Sequence, residues 1–499
     1  MNCPIGIRSL SVCFPEMIRK PEDSEHNFPD LMDKINSRKT RLSRSISTAE
    51  ELEINIWSQE VAPYLSDPFR GNIERRVLNL QESPLTLEYR AAQEAIQTAE
   101  LTPKDVELMI VTSFYPGQIG PGNACYLAHQ LGLCCPAWNL ESTCSSALIA
   151  LQNAHALLQT TAYQNVLVVV SHVGSQNVDE EDTLSWSMGD GAGAFIVDTL
   201  KPNQGILGTK IVPTTATCGA YCYELIINSQ GKPQIFTRTG ENASSLAETA
   251  VDFVRTCCEG AVAAAGVSLE QIDFFAFNTP TAWYNRVCTR ALGIDWERTI
   301  NLYPYYANIG PVSVIANLYH AAKVGKIREN DLVLVYTNGA AATAAATVMR
   351  WGDVTLGCAP TPPIKVTSHD EKSQHIDTTS FCVETSSLST EKLLAVPPEE
   401  RQQLLEKSLL QWLAAAMELS FTDLNPQARL TSYLDSLMAL TFKSRIETDL
   451  AIRVPINQFF GENNIVQLAE LLLSHLALVN LTSSASLPNE VEEREKLSL

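Results

Sequence analysis

No stretch of the 499-residue chain reaches 18 apolar residues without a charged break, so no transmembrane helix is expected. The opening segment MNCPIGIRSLSVCFPE lacks a basic start followed by a long apolar run, so no secretory signal is read there. Basic residues are scarce. Against 56 Asp and Glu there are only 36 Lys and Arg, and the formal charge of −20 argues against a nucleic-acid partner. The 13 cysteines are odd in number and scattered, which excludes a dense disulfide scaffold and points to a reduced, cytoplasmic setting. Cys218 and Cys222 form a CxxxC with no second ligand pair nearby, so no metal site is expected. The adjacent pairs Cys134–Cys135 and Cys257–Cys258 read as small buried hydrophobes.

What is present is enough apolar sequence for a large core, since 45% of the residues are hydrophobic. Up to about residue 352, short apolar runs alternate with helical segments. The runs are Glu107–Ser113, Val166–Ser171, Gly193–Val197, Asp273–Phe277, Leu332–Tyr336 and Ala344–Met349. They are nearly continuous in apolar residues, as strands covered on both faces are. The helical segments include Leu148–Thr160, Ser244–Ala265, Thr281–Leu292 and Val314–Val324. This alternation predicts an α/β domain with helices sandwiching sheets. No internal sequence repeat is visible. The reading divides the chain into a domain over residues 1–355, a linker rich in Ser, Thr and Pro over 356–398, a helical domain over 399–480 and a charged tail over 481–499.

The segment ESTCSSALIALQNAHALLQ puts Cys144 at the start of an amphipathic helix with Leu148, Leu151 and Leu158 on one face. Helix-terminal N–H groups favour a thiolate, the nucleophilic form of cysteine. Ser145, Ser146 and Ala147 are small enough to let a substrate approach. In the helical region, Asp435 precedes Ser436 at a second helix start, and Met438, Phe442, Ile446 and Leu450 follow at i, i+4 spacing. A phosphodiester on Ser436 would meet the favourable end of that helix dipole.

Taken in order, these motifs resemble the thiolase superfamily, especially β-ketoacyl synthase III and HMG synthase-like enzymes. The opening strand IGIRSLSVCFPE, the ERR of Glu74–Arg76, the Cys144 elbow and SMGDGAGAFIV at Ser187–Val197 carry the first half. DFFAFNTPTAWYNRV, YANIGPVSV and YTNGAAATAAATVMRW carry the second. The resemblance implies a five-layer αβαβα core built from two βαβ halves, a homodimer, and acyl transfer through a Cys144 thioester. It also implies an oxyanion hole made by Cys144 and one residue of Asn338–Gly339–Ala340, taken as Gly339, with Asn308 as the asparagine of a Cys-His-Asn set. The histidine position is occupied by Asn278. The domain's histidines, His26, His129, His155, His172 and His320, lack a matching context, and His172 and His320 read as structural. HMG synthases also need a glutamate that the loop SFYPGQIGPGN does not contain. An asparagine can donate a hydrogen bond to a carbonyl but cannot act as a base. The Asn278/Asn308 pair is therefore expected to polarise a thioester, and Cys144 to depend on its helix terminus.

LDSLMAL, IRVPINQFF and NIVQLAELL resemble a polyketide-type acyl carrier protein, a small all-α four-helix domain, with Tyr433 where a glycine is usual. That resemblance implies 4′-phosphopantetheine on Ser436, attached by a phosphopantetheinyl transferase. Expected substrates are acyl-CoA or acyl-carrier thioesters, handled together with other polyketide or fatty-acid enzymes. A linker of about 40 residues has an r.m.s. reach near 35 Å, at about 5–6 Å × √n. The competing reading is a catalytically reduced scaffold that docks and presents acyl groups to other enzymes.

Overall fold

The computed structural model describes residues 4–23, 56–64, 67, 69–117, 120–178, 183–227, 231, 233–360, 388–417, 424–430, 433, 434 and most of 442–483. They form two compact units, the first within residues 1–377 and the second within 378–499.

In the first unit, the strands of the N-terminal half are β1 (Ile5–Cys13), the short β2 (Met17–Arg19) and β3 (Arg75–Val77), β4 (Met109–Phe114), β5 (Ala137–Asn139), β6 (Val166–Val173) and β7 (Asp190–Thr199). The C-terminal half supplies β8 (Gly205–Pro213), a hairpin of β9 (Tyr221–Ile227) and β10 (Pro233–Thr239), then β11 (Phe274–Phe277), β12 (Leu332–Asn338), β13 (Thr343–Arg350) and β14 (Thr355–Leu356). One sheet runs β14-β1-β7-β6-β4-β5 and the other β11-β12-β13-β8.

The two halves repeat one plan. In the first, β5, β4 and β6 are parallel, while β7 runs antiparallel between β6 and β1. In the second, a parallel bridge at Thr299 stands where β5 would, β11 and β12 are parallel, and β13 runs antiparallel between β12 and β8. The sequence carries no trace of this duplication because topology, not residue identity, is conserved between the halves.

Strand periodicity separates the layers. Val166, Val168 and Val170 of β6 and Phe274 and Ala276 of β11 face a central core that also holds the helices Ser146–Gln159 and Val312–Lys323. Val312 through Ala321 are all buried, as expected for a helix enclosed by two sheets. The alternate residues Leu167 and Val169 pack outward against the Pro84–Thr98 and Asn123–Leu131 helices. Phe275 and Phe277 pack outward against the Ser245–Ala265 and Tyr284–Leu292 helices. The result is the αβαβα stack expected from the motifs.

Three readings change. Cys257 and Cys258 are buried, but Cys134 is exposed and Cys135 half-buried. The start of the expected linker is held in the first unit: β14 pairs with β1, and Tyr319 Oη donates to the Gly357 and Cys358 carbonyls at 2.9 and 2.8 Å. Its end belongs to the helical unit, where Leu388 and Leu393 are buried. Residues 361–387 and 484–499, and with them most of the linker and tail, lie outside the described residues.

The second unit packs the helices Pro398–Met417 and Ile465–Ser483 around a core that includes Leu405, Leu409, Phe442, Ile446 and Leu450. The i, i+4 row after Ser436 is thus a core face. Ser436 itself lies outside the described residues.

Candidate active site

Cys144 lies in a short 3-10 turn, Thr143–Ser145, that feeds the central helix Ser146–Gln159. Thr143 adopts φ +48°, a backbone conformation costly for a β-branched residue. Side chains hold the turn: Ser142 N–H donates to Ser146 Oγ (2.8 Å), Ser146 Oγ to the Thr143 carbonyl (2.7 Å), and Thr143 N–H to the Glu141 carboxylate. The loop between β12 and β13 closes on it, with Ser145 Oγ donating to the Thr343 carbonyl at 2.7 Å and Ser142 Oγ 2.8 Å from Thr343 Oγ1.

The thiol is not the ready thiolate that the helix terminus suggests. Cys144 is half-buried, and burial pushes its pKa up to about 12, with the Glu141 carboxylate adding to the rise. Desolvation outweighs the helix dipole here. The β9–β10 hairpin, which the sequence reading missed, brings two tyrosines toward the thiol. Tyr221 and Tyr223 of β9, with Tyr115 after β4, lie within electrostatic reach of the sulfur. Tyr115 Oη is 2.7 Å from Thr237 Oγ1 of β10.

The oxyanion assignment also shifts. Gly339 N–H donates to the Thr343 carbonyl at 2.9 Å across the hairpin, so it is not free to receive an oxyanion. Ala341 and Ala342 N–H donate to Thr217 Oγ1 (2.8 Å) and Thr214 Oγ1 (3.0 Å). Ala340 N–H has no such commitment among the described hydrogen bonds.

Asn278 and Asn308 converge on one glycine. Asn278 Nδ2 donates to the Gly310 carbonyl at 2.9 Å, and Gly310 N–H donates to Asn308 Oδ1 at 2.9 Å. A carbonyl only accepts, so this contact fixes the orientation of the Asn278 amide. Its Oδ1 is then left buried without a partner. Position 278 thus keeps an unpaired acceptor, while one of its two amide N–H groups is committed to Gly310. The strand end is tied to the second central helix by Asn317 Nδ2 donating to the Phe277 carbonyl (2.6 Å) and Thr279 N–H to Ser313 Oγ (3.0 Å).

The glycine-rich SMGDGAG segment supports Asn308 from below. Asn308 N–H donates to the Ser187 carbonyl (2.8 Å) and Gly189 N–H to the Asn308 carbonyl (3.0 Å). A side chain at 189 would stand 1.9 Å from the Tyr306 carbonyl oxygen, which explains the glycine. Gly189 also reaches a residue read as structural. His172 Nδ1 is 2.9 Å from the Gly189 carbonyl, and the ring presses on Gly310. His320, by contrast, is occupied elsewhere on its helix, with Nε2 3.0 Å from Tyr306 Oη.

With this geometry in place, the relatives agree. Residues 138–213 match the family of 3-oxoacyl-[acyl-carrier-protein] synthase III, and residues 262–351 match its C-terminal part. Residues 409–472 match the phosphopantetheine attachment site family. The chain is similar to synthase III over its first part and to phosphopantetheine carrier domains over its last. It is similar to β-ketoacyl-[acyl-carrier-protein] synthase III of Bartonella henselae, 28% identical over 292 residues, covering 56% of this chain and 88% of that one. The corresponding protein of Oceanobacillus iheyensis is 26% identical over 288 residues, covering 56% and 88%. Among solved structures, synthase III of Aquifex aeolicus superposes with a TM-score of 0.56 at 23% identity, covering 70% of this chain and all of that one. OleA of Xanthomonas campestris gives 0.58 at 15%, covering 70% and 97%. These structures establish the thiolase-type fold of the synthase III-like unit.

The carrier domain takes 4′-phosphopantetheine. Before the attachment segment, Tyr433 and Leu434 N–H both donate to the Leu430 carbonyl (2.9 and 2.8 Å), and after it Phe442, Ile446 and Leu450 are buried in the core of the second unit. Among the described residues, no helix is long and apolar enough to cross a membrane.

Proposed function

We propose that this chain moves acyl groups through a Cys144 thioester, to or from the thiol carried by its own carrier domain, as a step in polyketide or fatty-acid-like biosynthesis. The observation that carries this reading is the placement of Cys144 in the turn that starts one central helix, with Asn308 four residues before the other, in a chain that also matches a carrier domain.

Ser436 would hold the phosphopantetheine arm, which supplies a terminal thiol on a long tether. Cys144 Sγ is the internal acyl acceptor. Cys144 N–H and Ala340 N–H would receive the carbonyl oxygen as it becomes negative; one such donor is worth about 10²–10³ in rate. Asn308 steadies the floor of the site through Gly189 and Gly310.

Acyl transfer is favoured over chemistry that needs proton abstraction at position 278, because an asparagine there can still donate its second N–H but cannot act as a base. Intact-protein mass spectrometry after exposure to a panel of acyl-CoAs tests the reading in wild type, Cys144→Ala and Ser436→Ala. Wild type should carry acyl mass on both the Cys144 and Ser436 peptides, and Cys144→Ala should carry none at residue 144 and load its carrier arm far more slowly. Ser436→Ala should lack the arm of about 340 Da, a mass set by the cofactor's chemistry. Unchanged arm loading in Cys144→Ala would instead support the scaffold reading.

A further inference from the structure

We infer that Glu141 is a charge gate beside Cys144: it admits acyl groups that carry no negative charge and turns away those that end in a carboxylate. This deepens the acyl-transfer reading above, on which it rests, by naming the substrate class.

The placement follows from the chain itself. Glu141 lies between the edge strand β5 and the Thr143–Ser145 turn. Its side chain folds forward onto that turn, where Thr143 N–H donates to the carboxylate. Thr143 is bonded to Cys144. The covalent path from the Thr143 nitrogen to Cys144 Sγ spans at most about 8 Å, so with one hydrogen bond added the carboxylate oxygen lies within about 11 Å of the sulfur in any cysteine rotamer. That distance is comparable to the Debye length of about 8–10 Å, and screening is weaker where the path runs through protein. An acyl group bonded to Sγ starts inside the same radius.

The turn keeps the carboxylate there. Thr143 holds φ +48°, a conformation that persists because the bonds between Ser142, Thr143 and Ser146 over-determine the turn. The β12–β13 loop wedges it from the other side: a Cβ built at Gly339 would stand 2.3 Å from Thr143 Oγ1 and 2.6 Å from the Ser142 carbonyl oxygen. The Thr143 N–H therefore stays directed at Glu141.

The charge is not cancelled. Among the described residues, no Lys, Arg or His forms an ion pair with Glu141, and its one described hydrogen bond is that from Thr143. The side chain is exposed, so its ionisation carries no desolvation cost. Burial is the main cause of the raised Cys144 thiol and Tyr223 hydroxyl, and Glu141 adds to both. Exposed Arg70 acts on Tyr221 and Tyr303 but is not among the influences on Cys144. A helix N-terminus stabilises an anion. Glu141 already supplies one at the helix that Cys144 opens, so a second anion there is opposed by the first. A malonyl group on Cys144, with its carboxylate one methylene beyond the thioester carbonyl, meets that opposition. An uncharged acyl group does not.

The test is the initial rate of acyl-Cys144 formation in the full holo-chain, read by rapid quench and peptide mapping. Acetoacetyl-CoA and malonyl-CoA form the pair, because their acyl groups differ only in a terminal methyl against a terminal oxyanion. Adducts that have lost CO2 are counted with malonyl. Wild type should load acetoacetyl about five- to tenfold faster, the effect of two partly screened carboxylates. Glu141→Gln keeps an acceptor for Thr143 N–H and removes only the charge. It should bring the ratio close to one, mainly through faster malonyl loading. Glu141→Asp keeps the charge and should keep the preference. Raising the ionic strength from about 0.05 to about 1 M should shrink the wild-type ratio and leave that of Glu141→Gln unmoved. The CoA moiety is common to both substrates, so its own salt dependence cancels. Equal ratios in wild type and folded Glu141→Gln would overturn the inference. If Glu141→Gln does not fold, the salt series on wild type decides: no preference for acetoacetyl, or one that salt leaves unchanged, would overturn it. Failure of wild type to form acyl-Cys144 from either substrate would overturn the acyl-transfer reading instead.

Discussion

Replacing Gly310 by alanine puts a methyl group into the contact that joins His172 to the asparagine pair. Gly310 adopts φ +50°, a left-handed conformation that costs an alanine roughly 1–2 kcal/mol. The new Cβ would stand 2.5 Å from His172 Cδ2. The ring cannot swing aside, because Gly189 holds Nδ1, Phe114 covers one face, and a Cβ at Gly174 would already lie 2.4 Å from Cε1. Forcing it off its rotamer adds about 0.5–1.5 kcal/mol, for a combined cost of about 2–3 kcal/mol. Gly325→Ala is the control: its φ is +77°, but no atom lies within 4 Å of the added methyl, so only the backbone cost of roughly 1 kcal/mol applies. Urea denaturation gives the two stabilities, and intact mass gives the rate of Cys144 acylation. Gly310→Ala should be the less stable and should acylate at least tenfold more slowly than Gly325→Ala. Equal stability and equal acylation in the two variants would refute the packing argument.

At pH 7, limiting iodoacetamide should modify exposed Cys125, Cys134, Cys218 and Cys222 before Cys144, and labelling of Cys144 should accelerate as the pH approaches 9; first labelling at Cys144 would mean that burial does not control its thiol. Asn278→His replaces an amide with an imidazole that can also accept or release a proton, and should raise labelled CO2 release from a malonyl thioester above the wild-type level; wild-type release as fast as the variant's would show that a titratable group at position 278 is not needed for it. Buried Asp190 has its pKa raised from 3.8 to about 6, chiefly by desolvation. The folded chain therefore holds a proton that the unfolded chain releases between about pH 4 and 6, and this contribution, on the order of 3 kcal/mol, is fully present at the acid end and lost as pH rises through 6. Asp190→Asn should flatten that part of the stability profile, and a stability–pH slope identical to wild type would argue against it.

The fold was legible because its signals are local. Apolar runs such as Val166–Ser171 and Leu332–Tyr336 became β6 and β12 with only their ends extended. Cys144 was legible from its helix start, and Asn308 from the resemblance of its flank YANIGPVSV. The β9–β10 hairpin was not: most of Tyr221–Ile227 faces solvent, and a two-stranded hairpin leaves a weak apolar pattern. The state of the Cys144 thiol was misread because a helix terminus is visible in sequence, whereas the burial that raises the thiol comes from the folded structure and is not. His172 carries no motif of its own. Its contacts are with Gly189 and Gly310, which only the paired sheets bring to it.

The central claim is that acyl groups pass through Cys144. It is tested most directly by a single-turnover pulse of labelled acyl-CoA to the holo-chain, quenched in time and mapped by peptide. The account predicts that label appears first on the Cys144 peptide, then declines there as it rises on the Ser436 arm, with the total conserved. Label that reaches the Ser436 arm at the same rate in wild type and Cys144→Ala, with none passing through the Cys144 peptide, would contradict it.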